Sequence, residues 1–155
     1  MPQFTFKLAA VLRHRQTIER EKQRDYALAL ARQQQLEDQL TALNQSMQAT
    51  NDDIRQNHLV GRLDVAFITA HRRFLLGVQR KAMDLVNAIA KTRAQTETAR
   101  LALAQAATQR MILEKLRDKQ QQRWNDENNR KERIALDEIA MQMSADNLKD
   151  ASHGS

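Results

Sequence analysis

The interior of this chain offers one place to turn. Its 155 residues include three glycines, Gly61, Gly77 and Gly154, and a single proline, Pro2. Globular domains carry about 7% glycine and about 5% proline, so a fold of many short elements has no loops to draw on here. The residues that dominate instead, Ala, Leu, Gln, Glu, Lys and Arg, lose little freedom in a helix. Only "RQNHLVGRLD", residues 55–64, reads as a break. Asn57 and Gly61 tolerate the left-handed backbone that ends a helix, and Asp64 can cap the next one. The chain is therefore expected to be all-α and a single coiled-coil hairpin over 1–143. Helix one is placed at about 4–58, a turn at 59–62, helix two at about 63–143 and a disordered tail at 144–155.

Apolar periodicity says how the helices meet. Tyr26, Ala29, Gln33, Leu36, Leu40, Leu43, Met47, Thr50 and Ile54 recur at alternating steps of three and four. That is the seam of a left-handed coiled coil. It runs back less cleanly through Ile18, Val11, Leu8 and Phe4. A second register holds Ala82, Leu85, Ile89, Thr92, Thr96, Ala99, Leu103, Ala106, Arg110 and Leu113. Leu63, Phe67, Ala70, Phe74 and Val78 precede it, with a slip near Gly77.

An antiparallel hairpin pairs residues whose numbers sum to a near-constant. A sum of 121 or 122 matches Ile54 with Phe67, Met47 with Phe74, Leu43 with Val78, Leu36 with Leu85, Ile18 with Leu103 and Leu8 with Leu113. On this count Phe4 reaches Leu116 or Arg117, and the helix beyond, about 118–143, overhangs. At 1.5 Å per residue the overhang is about 35–40 Å long. A lone helix of that length is marginal in water, so it is expected to be completed by a partner.

The formal charge of +6 permits nucleic acid, anionic lipid or an acidic protein as that partner. Three basic clusters are prominent, the first in residues 7–24, where Lys7, Arg13, Arg15, Arg20, Lys22 and Arg24 stand against Glu19 and Glu21. Arg72, Arg73, Arg80 and Lys81 lie together without an acid, whereas the cations of 115–133 alternate with Asp118, Asp126, Glu127 and Glu132. Alternating sign disfavours nucleic acid, and no stacking aromatics or recognised binding motif accompany it. Trp124 is the exception in its polar surroundings, a residue type enriched at interface hot spots. No run of about 18 apolar residues offers a membrane span. "MPQFTFKLAAVLRHR" has no signal-peptide core, so the cytoplasm is the expected compartment.

Chemistry is sparse. The chain has no cysteine, and its four histidines are scattered without the i,i+4 spacing of a helical metal site. Adjacent carboxylates such as Asp52 and Asp53 point in different directions on a helix. No enzyme activity, metal or cofactor is expected.

"FTFKLAAVLRHRQTIEREKQRDYALALARQQQLEDQL" (4–40) resembles the start of the FliJ-type proteins of flagellar type III export. "LEKLRDKQQQRWNDENNRKERIALDEIA" (113–140) resembles that family's other end. The resemblance implies a non-enzymatic stalk that enters a hexameric export ATPase, links it to the membrane export gate and contacts export chaperones, at the periphery of the inner membrane. It implies ATPase-facing roles for Leu116, Lys119, Arg123, Trp124, Arg130 and Arg133. Arg73, Phe74, Leu75, Leu76 and Val78 would face the gate. The coiled-coil seam is expected at Leu8, Ile18, Leu36, Leu40, Leu43, Met47, Ile54, Phe67, Leu85, Ile89, Leu103 and Leu113. An injectisome stalk relative and a basic nucleic-acid-binding coiled coil are the alternatives.

Overall fold

The computed structural model describes residues 3–57, 61, 62 and 64–152. They form two helices, α1 (Ala9–Asn57) and α2 (Val65–Ser152), joined as an antiparallel hairpin. Gly61 holds φ at +110°, a conformation that favours glycine. Asp64 caps α2: its Oδ1 accepts from the amides of Ala66 at 3.0 Å and Phe67 at 3.4 Å, while its carbonyl accepts from Ile68 at 3.1 Å. Of the expected turn at 59–62, Gly61 and Arg62 fall within the described residues, whereas 59 and 60 lie outside them, as does Leu63.

The boundaries differ from the expectation at both ends. α1 begins at Ala9, so residues from 4 to 8 are not helical, and α2 continues past 143 to Ser152.

The chain divides into two compact units. The first is Thr17–Ala107, which contains the turn. In α1 its half-buried side chains include Tyr26, Ala29, Gln33, Leu36, Leu40, Leu43, Met47, Thr50 and Ile54, with Ile18 nearer the start. In α2 they run Phe67, His71, Leu75, Val78, Ala82, Leu85, then Ile89, Thr92 and Thr96, which are buried, and on through Ala99 and Leu103. One shallow groove is lined by Thr50, Asp53 and Ile54 together with Phe67, Ala70, His71 and Phe74. Ala70 and Phe74 are exposed, and the inward positions are His71 and Leu75. The slip therefore lies ahead of Gly77, where two steps of four follow Phe67.

Buried threonines work in this seam because their hydroxyls need nothing from the other helix. Thr92 Oγ1 donates to the Ala88 carbonyl at 2.8 Å, and Thr96 Oγ1 to the Thr92 carbonyl at 2.9 Å. Across the helices, Arg93 donates to Glu37 Oε1 from Nε at 3.2 Å and Nη2 at 2.9 Å, and Gln33 adds a bond at 3.1 Å. These donors, Arg93 foremost, hold the Glu37 carboxyl below its ordinary pKa.

The second unit joins the chain's beginning, through Gln16, to α2 from Thr108 onward. Its buried apolar side chains are Phe6 and Leu12, whereas Leu8 and Val11 are 38% and 41% exposed. Counting back from Tyr26 without a slip gives 22, 19, 15 and 12. Register therefore brings in Leu12, although Val11 has the matching spacing from Ile18. Arg15 Nη1 donates to Gln109 Oε1 at 2.7 Å across the helices, and Arg110 pairs with Glu114 at 2.6 Å. The Arg15–Gln109 bond, which crosses between the helices, fixes register at some cost in stability, whereas Arg110–Glu114 lies within α2.

Two substitutions bracket the energetics. Ile89→Asp places an unpaired charge in the seam and should cost on the order of 3 kcal/mol in chemical unfolding. Gly77→Ala should stabilise by about 1 kcal/mol, because the helix is continuous there and nothing lies within 4 Å of an added Cβ. A pH series reads the Glu37 pair. Its folded pKa lies below the unfolded one, so its contribution is complete above the ordinary glutamate range and is lost as pH falls through the folded value. The melting temperature of Glu37→Gln should therefore fall less than the parent's between about pH 6 and about pH 3.

Candidate partner-binding surfaces

The first surface is the far end of α2. Non-helical chain covers up to about 3.3 Å per residue against 1.5 Å in a helix. The residues before Ala9 therefore reach farther along α2 than helical pairing allows. Phe4 meets Trp124, ring centroids 6.3 Å apart and planes 55° apart, instead of Leu116 or Arg117. This half-buries the indole, which the sequence leaves uncovered. Asn128 is also half-buried, and every described residue from 129 to 152 is exposed.

The α2 seam does not stop where its cover stops. Steps of four and three from Leu113 pass through Arg117 and Trp124 and continue in frame to Lys131, Ile134, Glu138, Met141, Ala145 and Leu148. Leu136, Ile139 and Met143 lie on roughly the opposite side of the helix, about 130–190° round from the centre of that row. This end is therefore apolar on two faces with no cover on either. Leu116, Lys119, Arg123 and Arg130 follow helical spacing on an outer face, with Arg133 beside it. The four cations are exposed and form no ion pair among the described residues. Trp124 is not on that face; it belongs to the seam side.

The second surface is near the turn, where the structure separates residues that the sequence groups together. Leu75 and Val78 are half-buried. Phe74 is 45% exposed and stacks on His71 with centroids 6.3 Å apart. Leu76, 60% exposed, is two positions on and so about 200° round the helix. Phe74 and Leu76 do not form one patch. Arg73 is exposed toward the Leu76 side. A further set that the sequence reading passed over, Val65, Ile68, Met83 and Val86, shares the face of Leu76.

No described group of three or more His, Asp or Glu could hold a metal ion. The shifted titrating groups have local causes: Arg93 and Gln33 lower Glu37, Arg100 lowers Glu97, and Glu97 in turn raises Arg100. Among the described residues no helix is long and apolar enough to cross a membrane.

Fold and surfaces together define an antiparallel coiled-coil hairpin whose distinctive chemistry lies on exposed helix faces. Residues 4–149 match the family model described as Flagellar FliJ protein, and the chain belongs to that family. Membership gives it a role connected with flagellar export. No curated protein and no solved structure matches the chain.

Trp124 is the chain's single tryptophan and so reports its own cover. Phe4→Ala should shift its emission to the red and raise its quenching by acrylamide, with helix content unchanged. Identical spectra would show that Phe4 does not shield the indole in solution.

Proposed function

We propose that the protein is a non-enzymatic stalk of the flagellar export apparatus, cytoplasmic and peripheral to the inner membrane. The free end of α2 enters the hexameric export ATPase, and the turn end meets the membrane export gate. The observation that carries this reading is the uncovered helix from 129 to 152 with apolar side chains on opposite faces. One partner helix covers one face. A ring that encloses the helix covers both, and Lys119, Arg123, Arg130 and Arg133 supply charge for its inner loops.

Such an insertion is mechanical and electrostatic. A single helix in a six-fold pore presents unlike surfaces to different subunits, and so biases neighbouring active sites differently. Leu116 and Trp124 stand at the neck, where Phe4 closes the hairpin. Toward the gate the proposed contacts are Arg73 and Leu76 on one flank and Phe74 on the other, while Leu75 and Val78 hold the helix in its seam. Export chaperones are further partners. Nucleic acid is disfavoured at the free end, where Lys131 pairs with Glu127 at 3.0 Å and Phe4 already lies against the one tryptophan in a tilted contact.

Deleting 129–152 separates the stalk reading from a merely structural tail. The shortened chain should keep its helical melt and its Trp124 emission but lose at least about nine-tenths of its stimulation of the purified hexameric ATPase. Full stimulation by the shortened chain would count decisively against insertion by this end.

A further inference from the structure

We infer that the outer face of α2 between Val65 and Val86 is a docking seam for an acidic amphipathic helix supplied by another protein. Val65, Ile68, Arg72, Leu76, Gln79, Met83 and Val86 follow one another at steps of three and four. The mean step is 3.5, the period of a coiled-coil seam. At 100° per residue the seven fall within an arc of about 80°, centred about 100° from the half-buried row that includes Phe67, His71, Leu75 and Val78. α1 covers that row and leaves this one open. The apolar five are 76%, 44%, 60%, 68% and 52% exposed in chain order. α2 thus carries a second seam, and the first already accounts for α1.

Charge specifies what fits. From Val65 to Met83 there is no acidic residue, while Arg72 lies within the stripe and Arg73 and Arg80 flank it. All three are exposed and unpaired among the described residues. A second copy of the chain fits poorly: parallel stripes set Arg72 on Arg72, antiparallel ones set it on Gln79 beside Arg80, and neither copy has an acid between Val65 and Met83 to offset the charge. A bilayer fits poorly too, because the stripe is narrow, lacks aromatics and would draw Arg72 and Gln79 toward the acyl chains. A helix with leucine-type residues at seam spacing and carboxylates alongside satisfies both features. A carboxylate opposite Arg72 would fix its register. This surface shares Arg73 and Leu76 with the gate-facing segment but does not depend on the stalk reading.

The test uses the intact protein and a fluorescein-labelled synthetic helix of about 22 residues, long enough to span the stripe. The peptide carries leucines at seam spacing, glutamates flanking them and one seam glutamate opposite Arg72. Anisotropy should show saturable binding. Leu76→Glu and Met83→Glu should each weaken it at least about tenfold without shifting the thermal melt, since both side chains are exposed. Arg72→Glu should weaken it similarly, and a peptide with lysine at the seam position should restore it. Absent binding, binding insensitive to Leu76→Glu, or failure of the charge swap overturns the inference. So does binding to phosphatidylglycerol vesicles, or self-association in sedimentation, that Leu76→Glu abolishes while the peptide does not bind. ATPase stimulation, which tests the stalk reading, involves none of these residues, so the two can fail separately.

Discussion

The side-by-side contact of α1 and α2 is the interaction on which everything else rests. It is thin. Among the described side chains none is fully buried, and the most covered, Thr92, keeps 4% of its surface. A seam residue between two helices meets its partner on one side and water close by on the others, so stabilisation comes from many partial burials summed along the helices. At about 25 cal/mol per Å² of apolar surface, no single layer dominates. That is why the seam tolerates Gln33, Arg110 and paired threonines. Each keeps its polar atoms near solvent or satisfies them locally, whereas a closed core would penalise them.

A fold held this way leaves most of each helix's circumference free, and its functions have to be sought there. At the far end, the seam pattern outlasts the helix that covers it. Phe4 and Trp124 mark the change from covered to uncovered α2, and the apolar residues beyond them lie on more than one face. That is a poor arrangement for a helix left alone in water. It suits one that is surrounded when at work. Family membership supplies the setting, flagellar export; the uncovered helix supplies the reason to look for an enclosing partner.

Near the turn the same geometry sorts neighbouring residues into separate surfaces. Leu75 and Val78 support the hairpin, Phe74 sits on the shoulder of the seam against His71, and Leu76 joins Val65, Ile68, Met83 and Val86 behind it. Apolar residues adjacent in sequence cannot share one helix face. A patch there has to be counted in threes and fours.

The helical class, the single turn and the main registers were legible in the sequence. They follow from local properties: the scarcity of glycine and proline, the acidic cap at Asp64 and a heptad repeat read along one chain. The family was legible at both ends for the same reason. Only the tertiary structure decided that Leu12 and Phe6, not Val11 and Leu8, turn inward at the start. A heptad kept in phase from Tyr26 outweighs the better apolar match from Ile18. Only it decided that Phe4 reaches Trp124, because non-helical chain covers more distance per residue than a helix does. The second stripe on α2 was written in the sequence at the same 3.5-residue period as the first. Which stripe α1 covers, and which is left for a partner, depends on how the helices pack, and one helix's periodicity does not contain that choice.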